Sequence, residues 1–412
     1  MFSYLISLYQ RARVWGLKGI ISYLIRQRHD VALRYRLYRN ARRYPCETPE
    51  RGITLIAPIS GNYSLSKTVR DFAHALKCAG TPFQTFDTFC HRRRAQRSDY
   101  EDILTPENEF RVNRYSHIVE MFTSPLPGNV HRPRAAIAFW EGKSGMLEVF
   151  PYLADKDTVI AMSDFNLKHF REELPEDTPV VKILYPLLPP PNEMPPKSLT
   201  RRRFGIGEKD FAVFFNFDLG SVWRKNPEGT LRAFAAAFSS TSDAKLVFKT
   251  NGSKKHPDRL AALLALGAEL GLSDRLICVN DYLSQSDLFA LTAACDVYIS
   301  LHRAEGFGLG VAEAMCFSKP VIVTDYSSTT EFCNSDNSIP IPYKLIPVEG
   351  KEYFANMGTW ADADIDAAAA ALRKLYDDQE LREKLGRRAK EFIDEHFSLA
   401  NFRKSVDAFL AC

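Results

Sequence analysis

One stretch of the sequence combines two carboxylates with three closely spaced glycines. Glu305 and Glu313 frame Gly306, Gly308 and Gly310. Glycines at this density let the backbone turn sharply and approach a ligand closely. Because the residues from about 310 onward are typical of a helix, its unpaired N–H groups would point at the turn, where they favour a phosphate. The stretch therefore predicts an anion-binding turn bordered by two carboxylates.

Apolar runs on either side indicate the elements that must position this turn. Residues 297–299 and 321–323 are apolar and mostly β-branched, which is typical of buried parallel strands. A strand, a glycine turn and a helix form the βα unit of a doubly wound sheet, which binds ligands at the carboxyl ends of its strands. An ordinary tight turn that binds nothing is the alternative for the same residues.

The Glu-Gly-Phe-Gly-Leu run that begins at Glu305, with Glu313 downstream, resembles the donor-sugar motif of family-four retaining glycosyltransferases. The resemblance covers most of residues 50–400 and implies the GT-B fold, in which two Rossmann-like, doubly wound α/β domains face a cleft. It also implies that Glu305 orients the donor sugar and that Glu313 binds the ribose of the donor nucleotide. The donor-binding positions that it implies between them are Gly306, Phe307, Gly308 and Leu309.

Two adjacent cations, Arg224 and Lys225, lie between a predicted strand at 211–217 and a predicted helix at 228–238. The resemblance implies that an Arg/Lys pair in this loop holds the donor diphosphate, so both are candidate catalytic residues. In the family the two cations are usually several residues apart, so it stays open which one acts here. A solvated charge pair is the alternative. Lys249, near the end of a predicted strand at 245–250, is a further donor-binding candidate.

Three weaker donor-binding candidates follow other predicted strands. Tyr282 and Leu283 come after a strand at 276–279, where the resemblance implies contact with the nucleobase. Gly61 lies between a strand at 52–58 and a helix at 64–79, in a loop that the resemblance brings near the donor phosphates and the acceptor.

Glu141 is the candidate on the acceptor side. It follows a predicted strand at 135–140, within Trp140-Glu141-Gly142. A Phe-Pro pair at 150–151 and a Ser-Asp-Phe run at 163–165 come next, an order that resembles family members that elongate bacterial polysaccharides. A solvated loop carboxylate is the alternative for Glu141.

Length and proline content predict the domain organisation. A chain of 412 residues should form about two domains, and six prolines within residues 186–196 indicate a stiff linker. We therefore predict an N-terminal extension at 1–48, an acceptor domain at 49–195 and a nucleotide-sugar domain at 197–395. A C-terminal helix at 396–412 should cross back to the first domain.

The first 45 residues are basic and rich in aromatic side chains, with ten Lys or Arg against one Asp. Apolar residues recur at helical spacing, so a helix here could lie in an anionic membrane surface. The alternative is a helical extension that packs on its own domain with its arginines in solvent, and both can hold in part. The N-terminus lacks the features of a secretory signal, and no apolar run is long enough for a spanning helix.

Composition excludes several function classes. The net charge of +4, from 54 basic and 50 acidic residues, gives no reason to expect nucleic acid as a partner. The eight cysteines show no metal-ligand spacing, and no Asp-x-Asp pair is placed to hold a metal and a diphosphate. We therefore expect no metal, no cofactor beyond the donor substrate, and a reduced cytoplasmic setting, including the inner face of the membrane if the extension binds there.

The predicted function is metal-independent, retaining glycosyl transfer. A hexose or deoxyhexose would pass from a nucleoside diphosphate sugar to a glycan or a lipid-linked glycan, in polysaccharide or lipopolysaccharide synthesis. Retention and the acceptor class come from the resemblance. Two alternatives stay open: an epimerase or phosphorylase of the same architecture, and a catalytically silent, membrane-associated assembly module.

Overall fold

The computed structural model describes residues 28–29, 31–61, 63–89, 95–121, 130, 133–191, 193–239, 241–348 and 358–411. The chain divides into two compact units. Unit 1 consists of residues 1–136 and 155–158, and unit 2 of residues 137–154 and 159–412. The domain boundaries at 48, 195 and 395 stay predictions.

The first sheet is parallel and has six strands. They are β1 (Glu50–Ala57), β2 (Phe83–Asp87), β3 (Tyr115–Glu120), β4 (Arg134–Ile137), β5 (Thr158–Ala161) and β6 (Val180–Lys182), in the order β2-β1-β3-β4-β5-β6. Helices in this part of the chain are α1 (31–43), α2 (Ser64–Cys78), α3 (Met146–Val149) and α4 (Asp164–Glu173).

The described part of the N-terminal extension packs on the rest of unit 1. In α1, Leu33, Leu37 and Ala41 are buried in a cluster that includes Ile56 of β1 and Phe86 of β2. Their spacing of four residues puts them on one face of the helix. The packing alternative is therefore confirmed for residues 31–43, whereas residues 1–27 lie outside the described ranges.

The second sheet is also parallel and has six strands. Its strands are β7 (Phe211–Asp218), β8 (Ala244–Asn251), β9 (Leu276–Asn280), β10 (Val297–Ser300), β11 (Val321–Thr324) and β12 (Ile339–Ile341), in the order β12-β11-β10-β7-β8-β9. Its helices are α5 (Lys197–Arg203), α6 (Val222–Lys225), α7 (Pro227–Ala237), α8 (Pro257–Glu269), α9 (Gln285–Ala294) and α10 (Leu309–Cys316), followed by α11 (Ile365–Asp377), α12 (Gln379–His396) and α13 (Leu399–Phe409).

Two parallel sheets with intervening helices confirm the predicted α/β class. Helix α11 begins at Ile365. The residues before it form β14 (Thr359–Ala363), which pairs antiparallel with β13 (Tyr343–Pro347) outside both six-stranded sheets. Among the residues that the structure describes, no helix is both long and apolar enough to cross a membrane.

Candidate functional site

The glycine turn between β10 and α10 requires its glycines. Gly308 has a left-handed φ of 92°, and a Cβ atom there would lie 2.4 Å from Cγ2 of Thr329. A Cβ atom on Gly310 would lie 2.3 Å from the hydroxyl oxygen of Tyr298. Side chains at either position would therefore clash with groups that pack directly against the turn.

Four of the predicted site residues come together beside this turn. Arg224 Nη1 donates to Glu305 Oε2 over 3.1 Å, and Lys225 Nζ donates to Glu305 Oε1. Arg224 Nη2 lies 3.5 Å from Glu141 Oε1. All four belong to unit 2. The structure thus assembles a cluster of two cations and two carboxylates from residues that are up to 164 positions apart in the chain, counted from 141 to 305.

Glu305 is ionised in this cluster. Only 7% of its side chain is exposed, and burial by itself favours the neutral acid. Lys225 and Arg224 together outweigh that effect and lower the pKa of Glu305 to about 2. Because two cations contact this one carboxylate, a second anion that enters the site could accept hydrogen bonds from the same two cations.

Glu313 lies inside α10 and is buried. It lies near Tyr298 of β10. Burial first, and then the charges of Glu305 and Glu313, raise the pKa of Tyr298 well above its ordinary value. The Tyr298 hydroxyl therefore keeps its proton and donates to Asn216 Oδ1 over 2.6 Å. Sequence reasoning missed Tyr298 and Asn216. Each of them is a residue with a polar group inside an otherwise apolar strand, and that pattern could have indicated them.

Lys249 lies on β8, directly opposite Asn216 of β7. The lysine is buried, and burial lowers the pKa of its ammonium group although Asp218 and Asp281 oppose the shift. A buried lysine with a lowered pKa at the carboxyl end of a parallel strand fits a ligand-facing position. Its donor-binding role stays a prediction.

Phe307 and Gly306 pack closely against other residues of unit 2, and Leu309 is half-buried. Phe307 is buried and stacks on Tyr185, with ring centroids 4.2 Å apart. A Cβ atom on Gly306 would lie 3.1 Å from Cβ of Phe139, and Leu309 is half-buried at the start of α10. These placements agree with backbone contacts at Phe307–Leu309, which stay predicted.

Two serine hydroxyls hold the carbonyl groups of the turn. Ser163 Oγ donates to the carbonyl oxygen of Gly306 over 2.9 Å and accepts from the backbone N–H of Asn166. Ser328 Oγ donates to the carbonyl oxygen of Glu305 over 2.6 Å. Sequence reasoning noted Ser163 as part of a pattern but assigned it no role, because the contact joins residues 143 positions apart.

His302, three residues before Glu305, is fully buried. Its Nε2 lies 3.2 Å from the carbonyl oxygen of Tyr326, and its Nδ1 lies 3.1 Å from Ser300 Oγ. Burial lowers the pKa of His302 to about 4, so the ring is neutral at physiological pH. The Nε2–H group then donates to Tyr326 while Nδ1 accepts from Ser300.

The weaker candidates lie elsewhere. Tyr282 and Leu283 follow β9, the edge strand of the second sheet, and are half-buried; the Tyr282 N–H donates to Asp281 Oδ1 over 2.7 Å. Gly61 belongs to unit 1, where its carbonyl oxygen accepts from Arg70 Nη1 over 2.7 Å. The ranges that the structure describes contain no group of three or more His, Cys, Asp or Glu side chains that could hold a metal ion.

A comparison with known protein families matches the second sheet and most of its helices. Residues 199–392 match the model of the family described as glycosyl transferases group 1. N-acetyl-alpha-D-glucosaminyl L-malate synthase of Bacillus anthracis is 24% identical over 197 residues, which make up 48% of this chain and 44% of that protein. The chain thus matches less than half the length of this curated relative.

Solved structures extend the likeness to most of the chain. Anabaena HepE in complex with UDP-glucose superposes with a TM-score of 0.65 at 15% identity, over 87% of this chain and 99% of that one. WaaG, a glycosyltransferase involved in lipopolysaccharide biosynthesis, gives a TM-score of 0.57 at 13% identity, over 87% and 99%. At such identities the likeness concerns the fold, and it confirms the GT-B architecture. Residues 199–392 are therefore similar to the glycosyl transferases group 1 family, and the two parallel sheets of the chain have the GT-B fold.

Proposed function

We propose that the protein transfers a glycosyl group from a nucleoside diphosphate sugar with retention of configuration. The observation that carries the proposal is the charge cluster, in which Arg224 and Lys225 converge on the single buried carboxylate of Glu305. The N-terminus of α10 begins four residues after that carboxylate. Cations and helix N–H groups at one place are the elements that stabilise a departing diphosphate.

The chemistry follows from these groups. As the anomeric bond breaks, negative charge develops on the diphosphate, and Arg224 and Lys225 turn part of their hydrogen bonding from Glu305 toward it. The departing diphosphate oxygen takes the proton of the incoming hydroxyl, which attacks from the same face. Glu305, which is ionised in the charge cluster, orients the sugar, while Glu313 binds the ribose and Glu141 faces the acceptor. We propose that none of these steps needs a metal ion.

Donor and acceptor classes are proposed from the relatives. HepE was solved with UDP-glucose, so uridine diphosphate hexoses are the first donors to test. WaaG is involved in lipopolysaccharide biosynthesis, which supports a glycan or lipid-linked glycan acceptor.

A thermal-shift screen followed by a turnover assay tests the proposed function. A ligand that binds only the folded state at a hundred times its Kd adds about 2.7 kcal/mol to the free energy of unfolding. We expect one nucleoside diphosphate and its sugar to raise Tm, and the sugar donor to be turned over in excess EDTA. The anomeric configuration of the product, determined by NMR, tests retention. Binding without turnover on any donor and acceptor pair would instead favour the silent assembly module, and absence of nucleotide binding would overturn the proposed transfer.

We also propose peripheral membrane binding through the outer face of α1. Val31, Tyr35 and Tyr38 are 65%, 60% and 43% exposed and lie on the face opposite the buried one, flanked by Arg34 and Arg39. Tyrosine and arginine together suit the headgroup region of an anionic bilayer. The full chain should sediment with vesicles that contain phosphatidylserine, and less so at high salt.

A paired substitution tests that surface. Tyr35→Ser with Tyr38→Ser should reduce vesicle binding, whereas Leu264→Ser, at a position on α8 that is 43% exposed, should not. Equal binding by both variants would contradict the assignment of α1.

A further inference from the structure

The hairpin of β13 and β14 lies outside both six-stranded sheets. Three successive residues of β14 contact either a residue of the charge cluster or a residue that contacts the cluster. They are Trp360, Ala361 and Asp362, and their partners are Glu141 and Arg303. Such a concentration of contacts on a short strand needs an explanation, because a two-stranded hairpin gains little stability by itself.

Trp360 holds the backbone on the Glu141 side of the cluster. Its Nε1–H donates to the carbonyl oxygen of Glu141 over 3.1 Å. The indole is only 3% exposed, so the packing around it fixes its rotamer. The main chain of Glu141 is therefore hydrogen-bonded to a side chain that does not move, and this fixes the position from which the Glu141 carboxylate extends.

Asp362 and Ala361 hold Arg303. Asp362 Oδ1 accepts from Nε and Nη2 of Arg303 over 3.2 and 3.0 Å. The backbone N–H of Ala361 donates to the carbonyl oxygen of Arg303 over 3.0 Å. Both the guanidinium group and the main chain of Arg303 are thus oriented by β14.

Arg303 in turn caps α6, the single turn that carries Arg224 and Lys225. Its backbone N–H donates to the carbonyl oxygen of Arg224 over 2.7 Å, and its Nη1 donates to that of Trp223 over 2.5 Å. A helix of one turn is unstable by itself, and the carbonyl groups at its C-terminus need donors from elsewhere. The direction of the two site cations therefore depends on Arg303.

We propose that β14 positions both sides of the charge cluster, so that Trp360, Asp362 and Arg303 are positioning residues for Glu141 and Arg224. Trp360 sets the carboxylate, Asp362 and Arg303 set the cation, and a single strand keeps Glu141 Oε1 and Arg224 Nη2 at 3.5 Å. The inference rests on the proposed function only for its effect on catalysis. The contacts themselves predict a local structural effect in either case.

Steady-state kinetics with the preferred nucleotide sugar test the proposal. Trp360→Phe keeps an aromatic ring, smaller than the indole, and removes the N–H donor, and Asp362→Asn keeps the shape and removes the charge. Because misplacement of catalytic groups by about 1 Å can cost a hundredfold in rate, we expect each variant to lower kcat about tenfold or more and to change the donor KM less than about threefold. Asp362→Glu should recover part of the loss. The control is Leu345→Ser on β13, at a position 49% exposed, which should retain wild-type kinetics.

Hydrogen exchange separates a failure of this inference from a failure of the proposed function. In Trp360→Phe, amides at 141–145 should exchange faster than in the wild type, and in Asp362→Asn those at 222–226 should do so. Wild-type protein that does not turn over any nucleotide sugar would overturn the proposed function, and the exchange rates would still decide the positioning role. Unchanged kcat in both variants of an active enzyme, or unchanged exchange at both sites, would overturn the positioning role.

Discussion

Two loops of the molecule use a buried arginine in different ways. In unit 1, the loop after β1 contains Ile59 and Gly61, and Arg70 Nη1 donates to both of their carbonyl oxygens, over 2.9 and 2.7 Å. In unit 2, the turn after β10 contains Ala304 and Glu305, and Arg224 Nη1 donates to the Ala304 carbonyl and to the Glu305 carboxylate, over 2.9 and 3.1 Å.

The difference lies in what accepts the hydrogen bonds. Backbone carbonyls are fixed by the fold, so the bonds that Arg70 makes to them cannot move to a ligand without unfolding the loop. The carboxylate of Glu305 is a side chain that can share its cations with an incoming anion. We infer that Arg70 stabilises a loop, whereas Arg224 and its neighbour Lys225 act on a substrate.

The largest expected effect is the loss of catalysis in Arg224→Met. Removing one preorganised donor from a site where charge develops typically lowers kcat by about 10²–10³-fold, and Lys225→Met should behave similarly. The exposed Arg232 on α7 gives the control, since Arg232→Met removes the same charge from the neighbouring helix. Initial rates with the preferred nucleotide sugar measure the effect. Wild-type kcat in both Arg224→Met and Lys225→Met would show that the unit 2 cations are structural, like Arg70.

Acid should destabilise the turn of unit 2 through His302. Its pKa is about 4 in the folded state and about 6.5 when unfolded, so between these values the unfolded chain binds the proton and the folded protein does not. Stability is therefore lost as pH falls from 6.5 to 4, by about 3 kcal/mol from this group. Urea unfolding at pH 7 and 4.5 measures the loss, and His302→Asn should lose less than the wild type. An equal loss in both proteins would contradict the assignment.

Arg70→Met should affect stability rather than chemistry. Two buried carbonyls lose their donor, and an unsatisfied buried group costs about 1–3 kcal/mol, so we expect the free energy of unfolding to fall by about 2 kcal/mol or more. Lys77→Met on the same helix breaks a pair with Asp102 whose side chains are 51% and 46% exposed, and should cost less than about 1 kcal/mol. Thermal or urea unfolding compares the two. If Arg70→Met keeps wild-type stability but lowers kcat, the distinction between the loops is wrong.

Sequence alone predicted the sheets because their strands are buried on both faces. Residues 211–217, for example, are almost uninterrupted apolar residues, and they form most of β7. It also singled out Arg224, Lys225, Glu141 and Glu305 one by one, but it placed Glu141 in a separate acceptor domain and did not predict the cluster that they form. It did not predict their partners. Trp360 and Glu141 are 219 residues apart and lie on elements without an obvious periodic pattern, so only the tertiary packing reveals the contact.

The two glutamates of the glycine turn should differ in how they affect the bare nucleotide. Glu313 is proposed to bind the ribose, which does not react, so Glu313→Gln should weaken UDP and UDP-sugar alike. A hydrogen bond to an ionised carboxylate contributes about 1.5–3 kcal/mol, which corresponds to about tenfold or more in Kd. Glu305, in contrast, competes with a diphosphate for Arg224 and Lys225. Glu305→Gln should therefore bind UDP at least as tightly as the wild type, although its kcat falls because the sugar is no longer oriented. Calorimetry with UDP measures both affinities, and weakening of UDP by Glu305→Gln to the same extent as by Glu313→Gln would show that the two roles are wrongly divided.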